Sequence, residues 1–172
     1  MGKITFILGG ARSGKSSFAV KLAKKQKGKA AFIPTCQPFD AEMKKRIALH
    51  KKTRPANWVT LENSGDMNLL LKQIDPKIKV VIIDCLTLLV SNLMFKKLSE
   101  KEITTRIKEI LKTITKAKYK TIIVSNEVGL GIVPVNKLAR EFRDIAGRIN
   151  QLTASEADEV FFLVSGLNWR IK

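Results

Sequence analysis

A chain of 172 residues fits one domain and can bury one substantial core, since a domain of this size hides about 70% of its unfolded surface, and no second folded domain is expected. Apolar content of 45% and charged content of 27% exclude a disordered or collagen-like polymer, and no apolar run reaches membrane-spanning length. A formal net charge of +17 admits nucleic acid, anionic surfaces or acidic small molecules as partners, but the cations are mostly lysines spread along the chain without interleaved aromatics, the pattern of a basic solvated surface rather than of a base-stacking platform.

The N-terminus runs from Lys3 directly into an apolar stretch, Ile4 to Leu8, which leaves no room for a cleavable signal and makes the cytoplasm the expected compartment. That stretch feeds Gly9, Gly10, Ala11, Arg12, Ser13, Gly14, Lys15 and Ser16, the G-x-x-x-x-G-K-[ST] phosphate loop, and an amphipathic segment follows at once. The glycines let backbone N–H groups turn inward as an anion nest at a helix N-terminus. Lys15 is expected to reach the β and γ phosphates of a nucleotide, and the Ser16 hydroxyl to ligate Mg2+.

The helix after the loop carries Phe18, Leu22 and alanines on one stripe and is expected to end at Lys27-Gly28. Ala30 to Pro34 reads as a buried strand, with Thr35, Cys36 and Gln37 at its carboxyl end, where ligands bind in open α/β sheets. Asp40 can cap a helix running through AEMKKRIALHKK, with Met43, Ile47 and His50 on one stripe. His50 is the only histidine; its inward position fits a packing residue or a catalytic one, and the nearby Lys51, Lys52 and Arg54 favour the neutral, nucleophilic imidazole.

Trp58 to Glu62 reads as a strand and Asp66 to Gln73 as a short helix. VVIID, Val80 to Asp84, reads as a central parallel strand, and a carboxylate ending such a strand is the expected Mg2+ partner of a phosphate loop, which singles out Asp84. Helices are expected over Leu86 to Phe95 and Glu100 to Lys116, then a buried strand over Thr121 to Ser125. NEVGLGIVP follows, with Glu127 as a further carboxylate. From Asn136 a long helix carries Arg140 and Asp144 as an i,i+4 pair. Val160 to Val164, a turn at Ser165-Gly166 and an edge segment Asn168 to Ile171 close the chain. The two cysteines, Cys36 and Cys85, lie in no paired metal spacing and are expected to be free thiols. The alternation predicts an α/β fold, residues 1–172 forming one phosphate-loop domain with a mostly parallel sheet and helices on both faces.

GGARSGKS at 9–16, DAEMKKRIALHKKTRPANW at 40–58, NEVGLGIVP at 126–134 and LAREFRDIAGRINQ at 138–151, with a terminal SG, together resemble the bifunctional adenosylcobinamide kinase / adenosylcobinamide-phosphate guanylyltransferases of cobalamin biosynthesis, essentially end to end. The resemblance implies a RecA-like phosphate-loop NTPase architecture, a homotrimer, and a two-step enzyme. An NTP, GTP or ATP with Mg2+, phosphorylates adenosylcobinamide, and GMP from GTP is then joined to adenosylcobinamide phosphate through a guanylylated histidine, which matches His50. By the same matching the phosphate loop, Pro34, Thr35, Cys36, Lys51, Lys52, Thr53, Arg54, Glu62 and Asp84 would line the guanine-nucleotide site. No nucleic acid and no membrane insertion is implied. The chain departs from the family pattern at Leu49, where members often carry a second histidine, at Asp84, where a glutamate is common, and in Leu167 to Lys172. Two alternatives stand beside this reading: a monofunctional phosphate-loop kinase for another small alcohol, which would form no GMP-enzyme adduct, and a nucleic-acid-binding ATPase, which would show salt-sensitive binding.

Overall fold

A computed structural model describes residues 2–36, 55–62 and 65–172. The expected helix after Asp40, with His50 and the basic run Lys51 to Arg54, lies outside the described residues, as does Gln37. A seven-stranded sheet has the order β3-β2-β4-β5-β1-β6-β7. Its strands are β1 (Ile4–Gly9), β2 (Lys29–Pro34), β3 (Val59–Thr60), β4 (Ile78–Asp84), β5 (Lys120–Asn126), β6 (Glu159–Val164) and β7 (Leu167–Arg170). Every pairing is parallel except β6 with β7, a tight antiparallel hairpin. The described helices are α1 (Lys15–Lys24), α2 (Met67–Lys72), α3 (Leu86–Phe95), α4 (Glu100–Lys116) and α5 (Lys137–Glu156). None of them is long and apolar enough to cross a membrane.

The period-2 geometry of strands sorts each apolar run onto two faces. Phe6 and Leu8 of β1, Val81 and Ile83 of β4, and Ile123 of β5 point into a large core under α2 to α5. Ile7, Val80, Ile82, Ile122 and Val124 point the other way, against Ala19, Val20 and Ala23 of α1. Both faces being covered explains why VVIID and TIIVS are continuous rather than alternating runs.

Helix bounds follow local chemistry. Asp66 caps α2 by accepting from the amides of Asn68 and Leu69 at 2.8 and 3.2 Å. A reciprocal capping box between Ser99 and Glu102 starts α4. Asn136 caps α5 through Ala139 N. Two expectations are corrected. Helix α1 stops at Lys24, not at Lys27-Gly28, because the Lys25 and Gln26 amides turn back onto Leu22 and Ala23 carbonyls. The Arg140 guanidinium donates to the Pro134 and Val135 carbonyls, so it braces the loop before α5, while Asp144 lies 3.6 Å from Arg143.

Candidate active site

The phosphate loop leaves the end of β1, between β5 on one side and β6 on the other. Its backbone is bent where glycine permits it: Gly14, at the cap of α1, has φ 94°, and Arg12 takes a left-handed φ of 57°. The loop is also braced from outside. The turn between β6 and β7 sends Gly166 N to the Ser13 carbonyl at 3.1 Å, and a Cβ added to Gly14 would meet Gly166 Cα at 3.4 Å. The terminal SG of the sequence thus supports the phosphate loop directly.

Lys15 is buried and folds back over this loop, its Nζ donating to Gly10 O at 2.5 Å and standing 3.4 Å from Ser13 Oγ. Burial lowers its pKa, opposed by the negative charge of Asp84. A phosphate arriving over the loop would give the ammonium the counter-charge that burial withholds. Ser16 sits one residue further on α1, half-buried.

Asp84 ends β4, beside Pro34 on β2 and Val124 on β5. With β5 between β4 and β1, Asp84 stands about 10 Å from the phosphate-loop strand along the sheet. Its carboxylate still acts on the Lys15 ammonium, so the two belong to one electrostatic site. Cys85 is buried, and its thiol is pushed up to about 11, chiefly by burial and then by Asp84, which makes it an inert neutral thiol at neutral pH. Cys36, like Cys85, is in no disulfide.

Thr35 does more than follow a strand. Its hydroxyl donates to Cys85 O and accepts from Cys85 N, both at 2.6 Å, and Asn92 of α3 donates to its carbonyl at 2.9 Å. Glu127 follows β5; its amide donates to Gly9 O at 3.0 Å, and its Oε1 accepts from Gly129 N at 2.9 Å. Lys15, Ser16, Thr35, Asp84 and Glu127 therefore share the carboxyl edge of the parallel strands, as their sequence positions imply. Glu62 shares that edge but follows β3, four strands from β1 and hence about 19 Å away along the sheet. His50, Lys51, Lys52, Thr53 and Arg54 are outside the described residues.

The sequence reading missed a buried polar group between α3, β5 and α5, formed by Thr87, Ser125 and Asn150. One signal was available: Asn150 lies on the stripe of α5 that also buries Ile145, Ala146, Ile149 and Thr153, and a polar side chain on a mainly apolar stripe needs a partner.

A glycine loop that leads from a strand into the start of a helix, with a lysine folded over it and a carboxylate at the end of a strand two places along the sheet, is the phosphate-handling part of a phosphate-loop NTPase. The fold agrees: the chain is similar to the RadB recombinase, with a TM-score of 0.54 over 93% of this chain and 73% of that one at 16% identity, a RecA-like architecture. The sequence then narrows the class. Residues 5–171 match the family described as cobinamide kinase / cobinamide phosphate guanyltransferase, and the chain belongs to that family. It is 38% identical to the bifunctional adenosylcobalamin biosynthesis protein CobU of Escherichia coli, over 96% of this chain and 98% of the relative. It is 39% identical to the CobU protein of Salmonella typhimurium over the same shares, 96% and 98%.

Proposed function

We propose that this chain catalyses both reactions of its family, phosphorylating adenosylcobinamide with an NTP and then joining GMP from GTP to adenosylcobinamide phosphate. The observation that carries the reading is the phosphate cradle of Gly9 to Ser16 with Lys15 across it, in a chain that matches the family over residues 5–171. Mg2+ fits this site, because it keeps several waters and needs only one or two protein oxygens besides substrate phosphates. Ser16 and Asp84 would hold it, and the ion would supply charge neutralisation at the phosphates.

In the kinase step the acceptor hydroxyl oxygen attacks the γ-phosphorus, the bridging bond to the β-phosphate breaks, and the NDP leaves. Asp84 or Glu127 orients the hydroxyl and takes its proton, while loop amides and Lys15 hold the departing charge. In the transferase step a neutral His50 nitrogen forms a bond to the α-phosphorus of GTP as pyrophosphate departs. A phosphate oxygen of adenosylcobinamide phosphate then displaces the imidazole, giving adenosyl-GDP-cobinamide. Thr35, Cys36, Pro34, Glu62 and the basic run Lys51 to Arg54 would receive the guanine nucleotide.

The deciding experiment incubates the protein with GTP labelled at the α or the γ phosphorus. Acid-labile, alkali-stable protein label is expected from the α position only, and absent in His50→Ala. Lys15→Ala should depress both steps, whereas His50→Ala should abolish GMP transfer alone; equal loss of kinase activity in folded His50→Ala would refute this division. The same reading puts the enzyme in the cytoplasm, where two cysteines outside any disulfide suit a reducing milieu, and makes it a homotrimer. Self-association is supported by aliphatic side chains left in solvent: Leu130, Ile132 and Val135 are 77%, 97% and 97% exposed. A monomer by sedimentation equilibrium would refute the trimer.

A further inference from the structure

Asn126 ends β5 immediately before Glu127, and both of its backbone polar groups are held by side chains. Its N–H donates to Thr87 Oγ1 at 2.6 Å, and its carbonyl accepts from Asn150 Nδ2 at 3.2 Å. Between these two side chains stands Ser125, 2.9 Å from Thr87 and donating to Asn150 Oδ1 at 2.7 Å. Each hydroxyl has one proton, so the direction of every bond is fixed. The Ser125 proton goes to Asn150, so Thr87 must give its own to Ser125 and accept from Asn126. The result is a closed ring: Asn126 N–H to Thr87, Thr87 to Ser125, Ser125 to Asn150, and Asn150 back to the Asn126 carbonyl. All three side chains are buried, at 3%, 0% and 5% exposure, where bonds in a chain reinforce one another and a broken one is costly.

The ring joins three elements that bear on the site. Thr87 lies in the first turn of α3, two residues past Cys85, which Thr35 holds from the end of β2. Asn150 comes from the middle of α5. The residue after Asn126 is tied to the phosphate loop through the bond from Glu127 N to Gly9 O. A shift of Asn126 therefore moves Glu127 and the foot of the phosphate loop together. Aliphatic side chains of the same size would fill this space but leave the Asn126 N–H and carbonyl without these partners, so the ring holds the strand end as well as packing it.

We propose that Thr87, Ser125 and Asn150 are positioning residues for phosphoryl transfer, fixing Glu127 against the phosphate loop through the backbone of Asn126. The proposal rests on the kinase reading above. Thr87→Val keeps the shape and removes the hydroxyl, opening the ring at two bonds; Thr87→Ser restores it. The expected result for folded Thr87→Val is a fall in saturated kinase turnover of about 10- to 100-fold, the scale of a misplacement near 1 Å, with nucleotide Kd within threefold of the parent and Thr87→Ser within threefold in turnover. Turnover unchanged in Thr87→Val, a loss expressed only as weaker nucleotide binding or a lower melting temperature, or a loss that Thr87→Ser does not repair would each overturn it. If Thr87→Val does not fold, Ser125→Ala, which removes one hydroxyl in mid-ring, carries the same comparison. A parent protein silent toward cobinamide would refute the kinase reading instead. Amide exchange then decides the ring by itself: faster exchange at Asn126 and Glu127 in Thr87→Val than in the parent and Thr87→Ser sustains the clamp, and equal exchange sinks it.

Discussion

Gly9 and Gly10 are adjacent in the phosphate loop, yet the structure assigns them opposite tolerance to a methyl group. A Cβ on Gly9 would lie 2.5 Å from the Leu163 carbonyl oxygen of β6 and 2.7 Å from Ser13 Oγ, on a backbone with φ +153°. Real contacts of that kind stay beyond 3.0 Å, so β1 and β6 would have to part by at least about 0.5 Å where Gly9 faces Leu163 in their parallel pairing. Overpacking of a tight interior costs about 1–3 kcal/mol. The glycine-only backbone adds about 1–3 kcal/mol. A central figure of about 4 kcal/mol is a large share of a domain's total stability of about 5–15 kcal/mol. It corresponds to a loss of about 8–16 °C in melting temperature for a chain of this length. A Cβ on Gly10 meets nothing within 4 Å, and Gly10→Ala should stay within about 1 kcal/mol of the parent. Calorimetry of the two variants without nucleotide isolates this difference from any effect on phosphate binding. Equal melting temperatures for Gly9→Ala and Gly10→Ala, or the reverse order, would refute the argument from β6.

Two further outcomes are expected. Thr121 Oγ1 is buried and, among the described residues, finds no hydrogen-bond partner, so Thr121→Val should be neutral or stabilising by up to about 2 kcal/mol in denaturant titration, and a clear loss would mean that the hydroxyl is satisfied. Burial lifts Cys85 from 9.0 to about 11, helped by Asp84, and burial lifts Tyr119 from 10.0 to about 12. Both groups are held protonated by the folded state, so their contribution is complete below about pH 9 and is lost as pH rises, through 9–11 for Cys85 and 10–12 for Tyr119. Denaturant titrations at pH 8 and 10.5 should show falling stability, and Cys85→Ala should flatten the first part of that fall; a parallel decline in the variant would remove Cys85 from the account.

Much of the architecture was legible because its signals are local. The β-branched runs at β4 and β5 are buried on both faces and could be read without knowing the order of the strands. Helix α4 begins and ends where its pattern says, since Ser99 and Glu102 fix its start within four residues of sequence. The expected strand over Trp58 to Glu62 shrinks to Val59 and Thr60, which pair with Ala31 and Phe32 of β2. The phosphate loop was legible as a motif, but its bracing by Gly166 was not, as the two lie at opposite ends of the chain. The ring of Thr87, Ser125 and Asn150 escaped for the same reason: each member is a small polar residue in its own segment, and only the fold makes them neighbours. Arg140 was misread because spacing on a helix shows which carboxylate is near, not that two loop carbonyls lie nearer still.

The place of β1 has a consequence for how the molecule comes into being. This strand is synthesised before the strands on either side of it, yet it ends between β5 and β6, with Ile4 opposite Thr121 and its amide bonded to Asp158, 154 residues further on. At about 5–20 residues per second, a ribosome needs several seconds to tens of seconds to supply those neighbours. During that interval the run from Ile4 to Leu8 has no sheet to enter, and the phosphate loop behind it has neither Glu127 nor Gly166 to hold its shape. Nucleotide binding is therefore a late acquisition of the growing chain, and the segment that begins the site is the one that waits longest for its neighbours.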